Sequence, residues 1–386
     1  MDLSGVRVLD LTRLLPGPYA TQLLADCGAD VVKVEDTGAG DYARGMPPTT
    51  DAGHGELFDA VNRGKRSVAL DLKTEGGTEA FRALAAGADA VIESFRPGVV
   101  DRLGVGYGDL RGANSGLVYC SLSGYGQDGP LADRVGHDLN YVGLAGLLDM
   151  TRETPDEAPR VPGYPVADMA GGLFAAFAVC GALLSRELGD GTGEHLDVSM
   201  TDAVLSFGQA VAPAALRGEN PRPGATPLTG AYPWYDVYEA AEGYVTLAAL
   251  EPQFWEAFCG TVGREEWVPV HGTEDPAERT ALREELASLF AERTRDEWVD
   301  LLGDTDAAVG GVYSPGEAVE HPQVAARGLV DREGEEARVG SPVRGTEAGD
   351  ESLPAQGEHT VELLEEAGYG DEELAALRES GAVDYP

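Results

Sequence analysis

Lysine is almost missing from this sequence: only Lys33, Lys65 and Lys73 occur among its 28 basic residues, against 67 Asp and Glu, for a formal net charge of −39. A chain so short of positive charge has no basic surface large enough to replace the counterions of a nucleic-acid duplex, which excludes double-stranded nucleic acid as a partner. Self-repulsion on this scale suits a salt-rich cytoplasm, where charges more than about 10 Å apart are screened, and a halophilic protein is expected. The acids are dispersed among apolar periodic segments, and 43% of the residues are hydrophobic, so an acidic disordered interaction protein is excluded.

Cysteine is also scarce. Cys27, Cys120, Cys180 and Cys259 are scattered without CxxC spacing or nearby histidine, so neither a zinc site nor a disulfide framework is expected. No basic segment followed by an apolar one opens the chain, and the longest apolar stretch, around Leu173 to Leu184, is too short to span a bilayer. A soluble, cytoplasmic protein with no membrane partner is expected. Neither GxGxxG after the first strand nor GxxxxGK[ST] is present, which removes a dinucleotide fingerprint and a P-loop.

What the sequence does contain is a rhythm of strand-like and helix-like segments over its first ~200 residues, the pattern of an open α/β sheet with helices on its faces. Strands are predicted at Val6–Leu11, Asp30–Val34, Ser67–Leu70, Ala90–Ile92, Leu117–Ser121 and Glu194–Val198, with helices at Gly17–Cys27, Met169–Leu188 and Ser199–Ala215. Residues 216–230 are rich in Pro and Gly and read as a linker. Strands near Tyr235–Tyr238 and Tyr244–Ala248 then open a smaller α+β unit over 231–320. A last segment, 321–386, carries an acidic loop at Glu333–Glu336 and a helix near Asp371–Glu379. The expected layout is a large domain beginning with 1–215, the linker, the small domain, and the final segment.

In so acidic a chain each cation is a local exception. Arg63, Lys65 and Arg66 fall within four positions, and Lys33, Arg44, Lys73, Arg96 and Arg102 lie in the same α/β region. Two readings are open: a phosphate-bearing ligand at the carboxyl ends of the strands, or ion pairs with neighbouring acids.

Three kinds of position could do chemistry. His137, after the Gly- and Pro-rich Gly124–Pro130 turn, is of the type that serves as general base near neutral pH, and the adjacent Asp138 could orient or tune it; a structural histidine is the plainer alternative. Asp168 opens an apolar helix, where it could cap the first turn or, beside Gly171 and Gly172, approach a ligand next to backbone N–H groups able to hold an oxyanion. The helix dipole favours its carboxylate, so proton donation would require burial or a bound ligand to raise its pKa. Glu93 and Glu251 each follow an apolar strand, as site carboxylates or solvated turn residues, and Phe254, Trp255 and Phe258 are candidate pocket walls or core.

Taken together, several segments resemble the α-methylacyl-CoA racemases of the family III CoA-transferase superfamily. They are Leu15–Pro18, Ala29–Glu35, Asn62–Arg63 leading to Leu70–Lys73, Glu93–Gly98 with Arg102–Gly104, Gly124–Pro130, Gly136–Tyr141, Asp168 and Glu251–Phe254. The resemblance implies a Rossmann-like large domain built from both chain ends, a small middle domain, and an interlocked homodimer whose active site lies between one chain's large domain and the other's small domain. It implies His137 and Asp168 as catalytic pair, with Glu93, Asp138 and Glu251 lining the site. Coenzyme A contacts would fall on Leu70, Asp71, Leu72 and Lys73, on Ser94, Phe95 and Arg96, on Arg102, and on Gly136, Asn140 and Tyr141. Asp36 stands where a racemase can offer arginine to the nucleotide, with Arg44 as a substitute, and Tyr164 stands where asparagine can occur.

The implied reaction is inversion at the carbon α to a thioester, through an enolate, with coenzyme A carried by the acyl-CoA substrate and no metal or other cofactor. A family III CoA-transferase, in which Asp168 becomes a nucleophile, shares the fold but needs no second base such as His137 with Glu251. An acyl-CoA binding protein without turnover is the third reading.

Overall fold

The computed structural model describes residues 2–152, 154, 156–332, 337–343, 345 and 352–386. The expected acidic loop at Glu333–Glu336 lies outside the described residues.

The chain divides into two compact units. The first takes in Met1–Leu147, Pro162–Phe207 and Gly328–Pro386, the second Leu148–Val161 and Gly208–Arg327. The first unit is built on six parallel strands: β1 (Arg7–Leu11), β2 (Asp30–Glu35), β3 (Arg66–Leu70), β4 (Ala90–Glu93), β5 (Val118–Ser123) and β6 (His195–Ser199). Every residue of β4 and β5 is buried, as expected of strands covered by helices on both faces. The order is β3-β2-β1-β4-β5-β6, and the short strand Val383–Asp384 pairs antiparallel with β3. Strand placement reverses direction between β1 and β4, so the loops leaving these neighbours diverge and open a crevice at their carboxyl ends.

The helix Val166–Leu188 packs on Pro16–Ala25 and on Met200–Phe207. A Cβ at Gly172 would lie 2.4 Å from the carbonyl oxygen of Pro16, and one at Gly171 2.4 Å from Met200 Cγ, so these glycines serve close helix packing and not approach to a ligand. At 23 residues this helix is the one among the described residues long and apolar enough to cross a membrane, with half of that stretch buried. The helix expected over Met169–Leu188 begins three residues earlier, at Val166, and so exceeds the Leu173–Leu184 apolar stretch that was expected to be too short to span a bilayer.

In the second unit, β7 (Tyr235–Glu239), β8 (Tyr244–Ala248) and β9 (Val309–Gly311) form an antiparallel sheet. Trp255 and Phe258 are fully buried with Trp234 and Phe290, so the proposed pocket walls are core, with Phe254 packed against them. The helix expected over Ser199–Ala215 breaks after Phe207 into a 3-10 turn and a short helix Ala212–Leu216, and the boundary between units falls at this break. Among the four thiols, Cys27, Cys120 and Cys259 are buried, and all are free.

Beneath the carboxyl edge of the large sheet lies a buried ion network. Lys65 Nζ donates to Asp10 Oδ2 (3.1 Å), Thr21 Oγ1 (2.7 Å), Asn62 Oδ1 (2.9 Å) and the Pro18 carbonyl (3.0 Å). Lys33 Nζ lies 2.9 Å from Asp41 Oδ2 and donates to the Thr12 carbonyl. Burial alone would push the Asp10 carboxyl up, but the Lys65 and Lys33 ammonium groups hold it well below the usual carboxylate range. Asp10→Asn removes the counter-charge of a buried ammonium and should lower the unfolding free energy by about 3–5 kcal/mol. Urea unfolding at constant salt measures it, and a loss under about 1 kcal/mol, the value of an exposed pair, would contradict this account.

Candidate active site

A cavity of about 260 Å³ opens where β1 and β4 end. Leu11 lines it from the end of β1, Arg13 and Leu14 from the loop after it, Ser94 and Phe95 from the β4 loop, and His137 and Asp168 from two helix starts. The two expected acid/base residues therefore share one chamber.

His137 occupies the N-cap position of the helix Asp138–Leu144, with its backbone N–H donating to Asn140 Oδ1 at 3.0 Å. This internal bond accounts for Asn140. The Tyr141 ring lies buried in the cavity wall and its hydroxyl donates to the Gly136 carbonyl at 2.5 Å, which fixes the turn carrying His137.

Asp168 is not the cap of its helix. Pro165 holds the N-cap position and Asp168 sits three residues in, with its carboxyl pushed up to about 7 by burial and then by the charge of Asp138. This resolves the expected conflict with the helix dipole. Asp138 does not line the cavity: its Oδ1 accepts the backbone N–H groups of Ala167 (2.6 Å) and Asp168 (3.2 Å). Those amides are occupied and are not the expected oxyanion donors.

Glu93 lies under the cavity rim instead of lining it, 2% exposed, with Oε2 accepting the Phe95 N–H at 2.7 Å. Burial pushes its carboxyl up to about 7, against hydrogen bonds from Ser121 and Phe95. Glu251 belongs to the second unit, at the N-cap of Pro252–Val262, and is not among the residues lining this cavity.

Most of the basic cluster is engaged internally. Lys33 and Lys65 have fully buried side chains in the network above, and Arg63 pairs with Asp59 at 2.7 Å. Arg44 grips Glu35 through two bonds of 2.7 and 2.6 Å and donates to the Pro354 carbonyl at 3.0 Å. Arg66, first residue of β3, pairs with Asp30, first residue of β2, at the amino edge of the sheet and therefore opposite the ligand edge. The ion-pair reading holds for these five, because burying or anchoring a cation in so acidic a chain requires an acid beside it. Asp36 accepts Arg13 at 3.2 Å, and Tyr164 is exposed.

Lys73, Arg96 and Arg102 differ: all three are exposed and form no ion pair with a described residue. Lys73 and Arg102, with Leu72, line a second cavity of about 460 Å³, joined by Arg82 from the helix Glu75–Ala86. Leu70 is buried in the core and the Asp71 carboxylate receives the Lys73 N–H, so these two shape the turn. Sequence reading missed Arg82, whose signal is the spacing Glu75, Thr78, Glu79, Arg82 along one helix face. It also missed Arg13, stacked near Tyr42 and Phe95 (5.1 and 5.7 Å to the ring centres), although its place two residues beyond β1 marks the ligand edge. Among the described residues no three His, Cys, Asp or Glu side chains are grouped as metal ligands.

Comparison with known proteins agrees with this architecture. The chain is 35% identical to the alpha-methylacyl-CoA racemase of Mus musculus, over 100% of this chain and 98% of that protein. It is 35% identical to the succinyl-CoA:mesaconate CoA-transferase of Haloarcula hispanica, over 95% of this chain and 97% of that one. The crystal structure of Rv3272 from Mycobacterium tuberculosis superposes with a TM-score of 0.79 at 31% identity, covering 94% of this chain and 97% of that chain. The CoA-transferase family III profile matches residues 3–360, and the chain belongs to that family.

Proposed function

We propose that this protein racemises 2-methylacyl-CoA thioesters by removing and returning the α-proton, with His137 and Asp168 on opposite faces of the reacting carbon. The observation that carries the reading is one cavity holding both an imidazole and a carboxyl whose pKa is raised to about 7. Near neutral pH such a carboxyl both holds and accepts a proton, which two-base chemistry requires of each partner in turn. One residue takes the α-proton, the C–H electron pair moves into the carbonyl to give an enolate, and the other residue protonates the opposite face.

The enolate oxygen needs donors. With the Ala167 and Asp168 amides occupied by Asp138, the N–H groups of Asp138 and Leu139 are the candidates, since neither has a partner among the described residues and both adjoin His137. Coenzyme A arrives with the substrate, and no other cofactor enters the reaction. Lys73, Arg82 and Arg102 beside the second cavity suit its phosphates, with Arg96 exposed on the β4 loop. The exposed Leu173, Phe177 and Leu184 on the longest helix favour a homodimer, a second copy covering them. A salt-rich cytoplasm is the setting the charge favours.

The competing reading is CoA transfer, which the Haloarcula relative's name supports. There the Asp168 carboxylate attacks the thioester carbonyl, CoA leaves as the thiolate, and an acyl anhydride forms. That step leaves His137 without a task, which favours the racemase.

In heavy water at high salt, the protein should place deuterium at the α-carbon of a 2-methylacyl-CoA without an added acceptor. His137→Ala and Asp168→Ala should each reduce that uptake by about 10²–10⁴-fold. No uptake, with CoA moved to an added carboxylate, would establish the transferase. Lys73→Ala and Arg102→Ala should each raise KM for acyl-CoA by about tenfold or more with kcat little changed, as loss of a charge-assisted contact predicts; unchanged KM would remove the second cavity from coenzyme binding.

A further inference from the structure

We propose that Asp138 is a positioning residue for Asp168: its carboxylate takes the two backbone N–H groups that open Val166–Leu188 and so denies them to the Asp168 carboxyl. The inference deepens the racemase reading and rests on it only in treating Asp168 as a proton carrier.

The first turn of a helix leaves N–H groups without intrahelical acceptors, and the N-cap residue ordinarily supplies an oxygen to them. Here that residue is Pro165, whose side chain has no oxygen, and no side-chain cap is formed from it. Asp138 supplies the cap from 29 residues upstream, with Oδ1 accepting from Ala167 at 2.6 Å and from Asp168 at 3.2 Å. An unoccupied helix start attracts anions, and Asp168, in the first turn, carries a carboxylate beside it. Without Asp138, that positive end would hold Asp168 ionised. With Asp138 seated there, Asp168 faces a fixed negative charge in a half-buried position, consistent with the upward direction of its pKa.

The remaining charged and titratable groups on this cavity are His137 and Tyr141 from the helix beginning at Asp138, Arg13 from the β1 loop and Tyr42 from the turn Tyr42–Gly45. Arg13 is held by Asp36 (3.2 Å) and donates to the Tyr42 hydroxyl (3.0 Å), and the Tyr141 hydroxyl donates to Gly136. Among the described residues Asp168 is the one carboxylate lining the cavity, and Asp138 accepts a hydrogen bond from its backbone N–H at 3.2 Å. The sequence reading paired Asp138 with His137; the hydrogen bonds pair it with Asp168.

The test is a ¹³C titration of aspartate carboxyls in the ligand-free protein, with the Asp168 signal assigned by its loss in Asp168→Asn. Asp138→Asn and Asp138→Ser both retain an oxygen for the helix N–H groups and remove the charge. In either variant the Asp168 midpoint should fall by about one pH unit, as expected when a like charge in contact is removed. The pH limb of α-deuterium uptake assigned to Asp168 should move down with it. A midpoint that stays or rises in a folded variant overturns the proposal. Should neither variant fold, amide exchange in the unaltered protein decides: Ala167 and Asp168 N–H groups should be protected, and exchange at the rate of an open helix end overturns it. A shifted midpoint without racemase activity would sustain this inference and sink the catalytic reading; activity with an unmoved midpoint would do the reverse.

Discussion

Asp10, a carboxylate with no exposure to solvent, organises the carboxyl edge of the sheet by drawing two lysines inside. Its Oδ1 accepts the N–H (2.9 Å) and the hydroxyl (2.5 Å) of Thr12, and Lys65 connects Oδ2 to the carbonyl of Pro18 in the first helix. Lys33, opposite Asp10 in the register of β1 and β2, reaches Asp41, and Asp41 Oδ1 accepts the N–H of Leu14 at 3.1 Å. Leu14 has φ +65°, a left-handed conformation that costs a branched side chain about 1–3 kcal/mol unless its surroundings enforce it. The ion pairs enforce it. They bend the segment leaving β1 so that Arg13, Leu14 and Pro16 form one wall of the cavity.

Two of the three lysines are therefore architectural, and they act on the site at one remove. This explains why the basic cluster was easy to see while its two readings stayed open. Clustering along the chain shows where cations are, but their roles depend on acids distant in sequence: Lys65 on Asp10, 55 residues away, and Arg66 on Glu362 and Glu366 near the other end. Lys73 and Arg102 keep their charge at the surface because the turn after β3 and the short helix after β4 bring no acid into pairing distance among the described residues. Only folding separates these two groups.

The strands, in contrast, were legible nearly to the residue. β4 and β5 are buried along their whole length, and strands buried on both faces need no side-chain alternation to be recognised. The order of those strands is not a local property, and neither is the switch point between β1 and β4 that creates the cavity. His137 was recognisable as a type after a Gly- and Pro-rich turn, and Asp168 as a type at a helix start. Their shared cavity depends on the helices Asp138–Leu144 and Val166–Leu188 packing start to start, for which the sequence carries no periodic signal. The same packing turns Asp138 away from its neighbour His137 and onto the later helix.

A protein with 67 acidic residues poses a particular problem for a carboxyl proposed to exchange protons near neutral pH. The summed field of a net charge of −39 would raise every carboxyl pKa, but by an amount that shrinks as salt rises, because exposed charges more than a Debye length apart are screened. A group tuned by that field would change its protonation with the ionic strength of the cell. Asp168 is displaced instead by burial and by a carboxylate hydrogen-bonded to its own backbone N–H, at distances into which mobile ions do not enter. Short-range origins make the shift a property of the fold. The surface is then free to carry whatever charge solubility in salt demands, while the proton affinity of the cavity stays set by contacts within it.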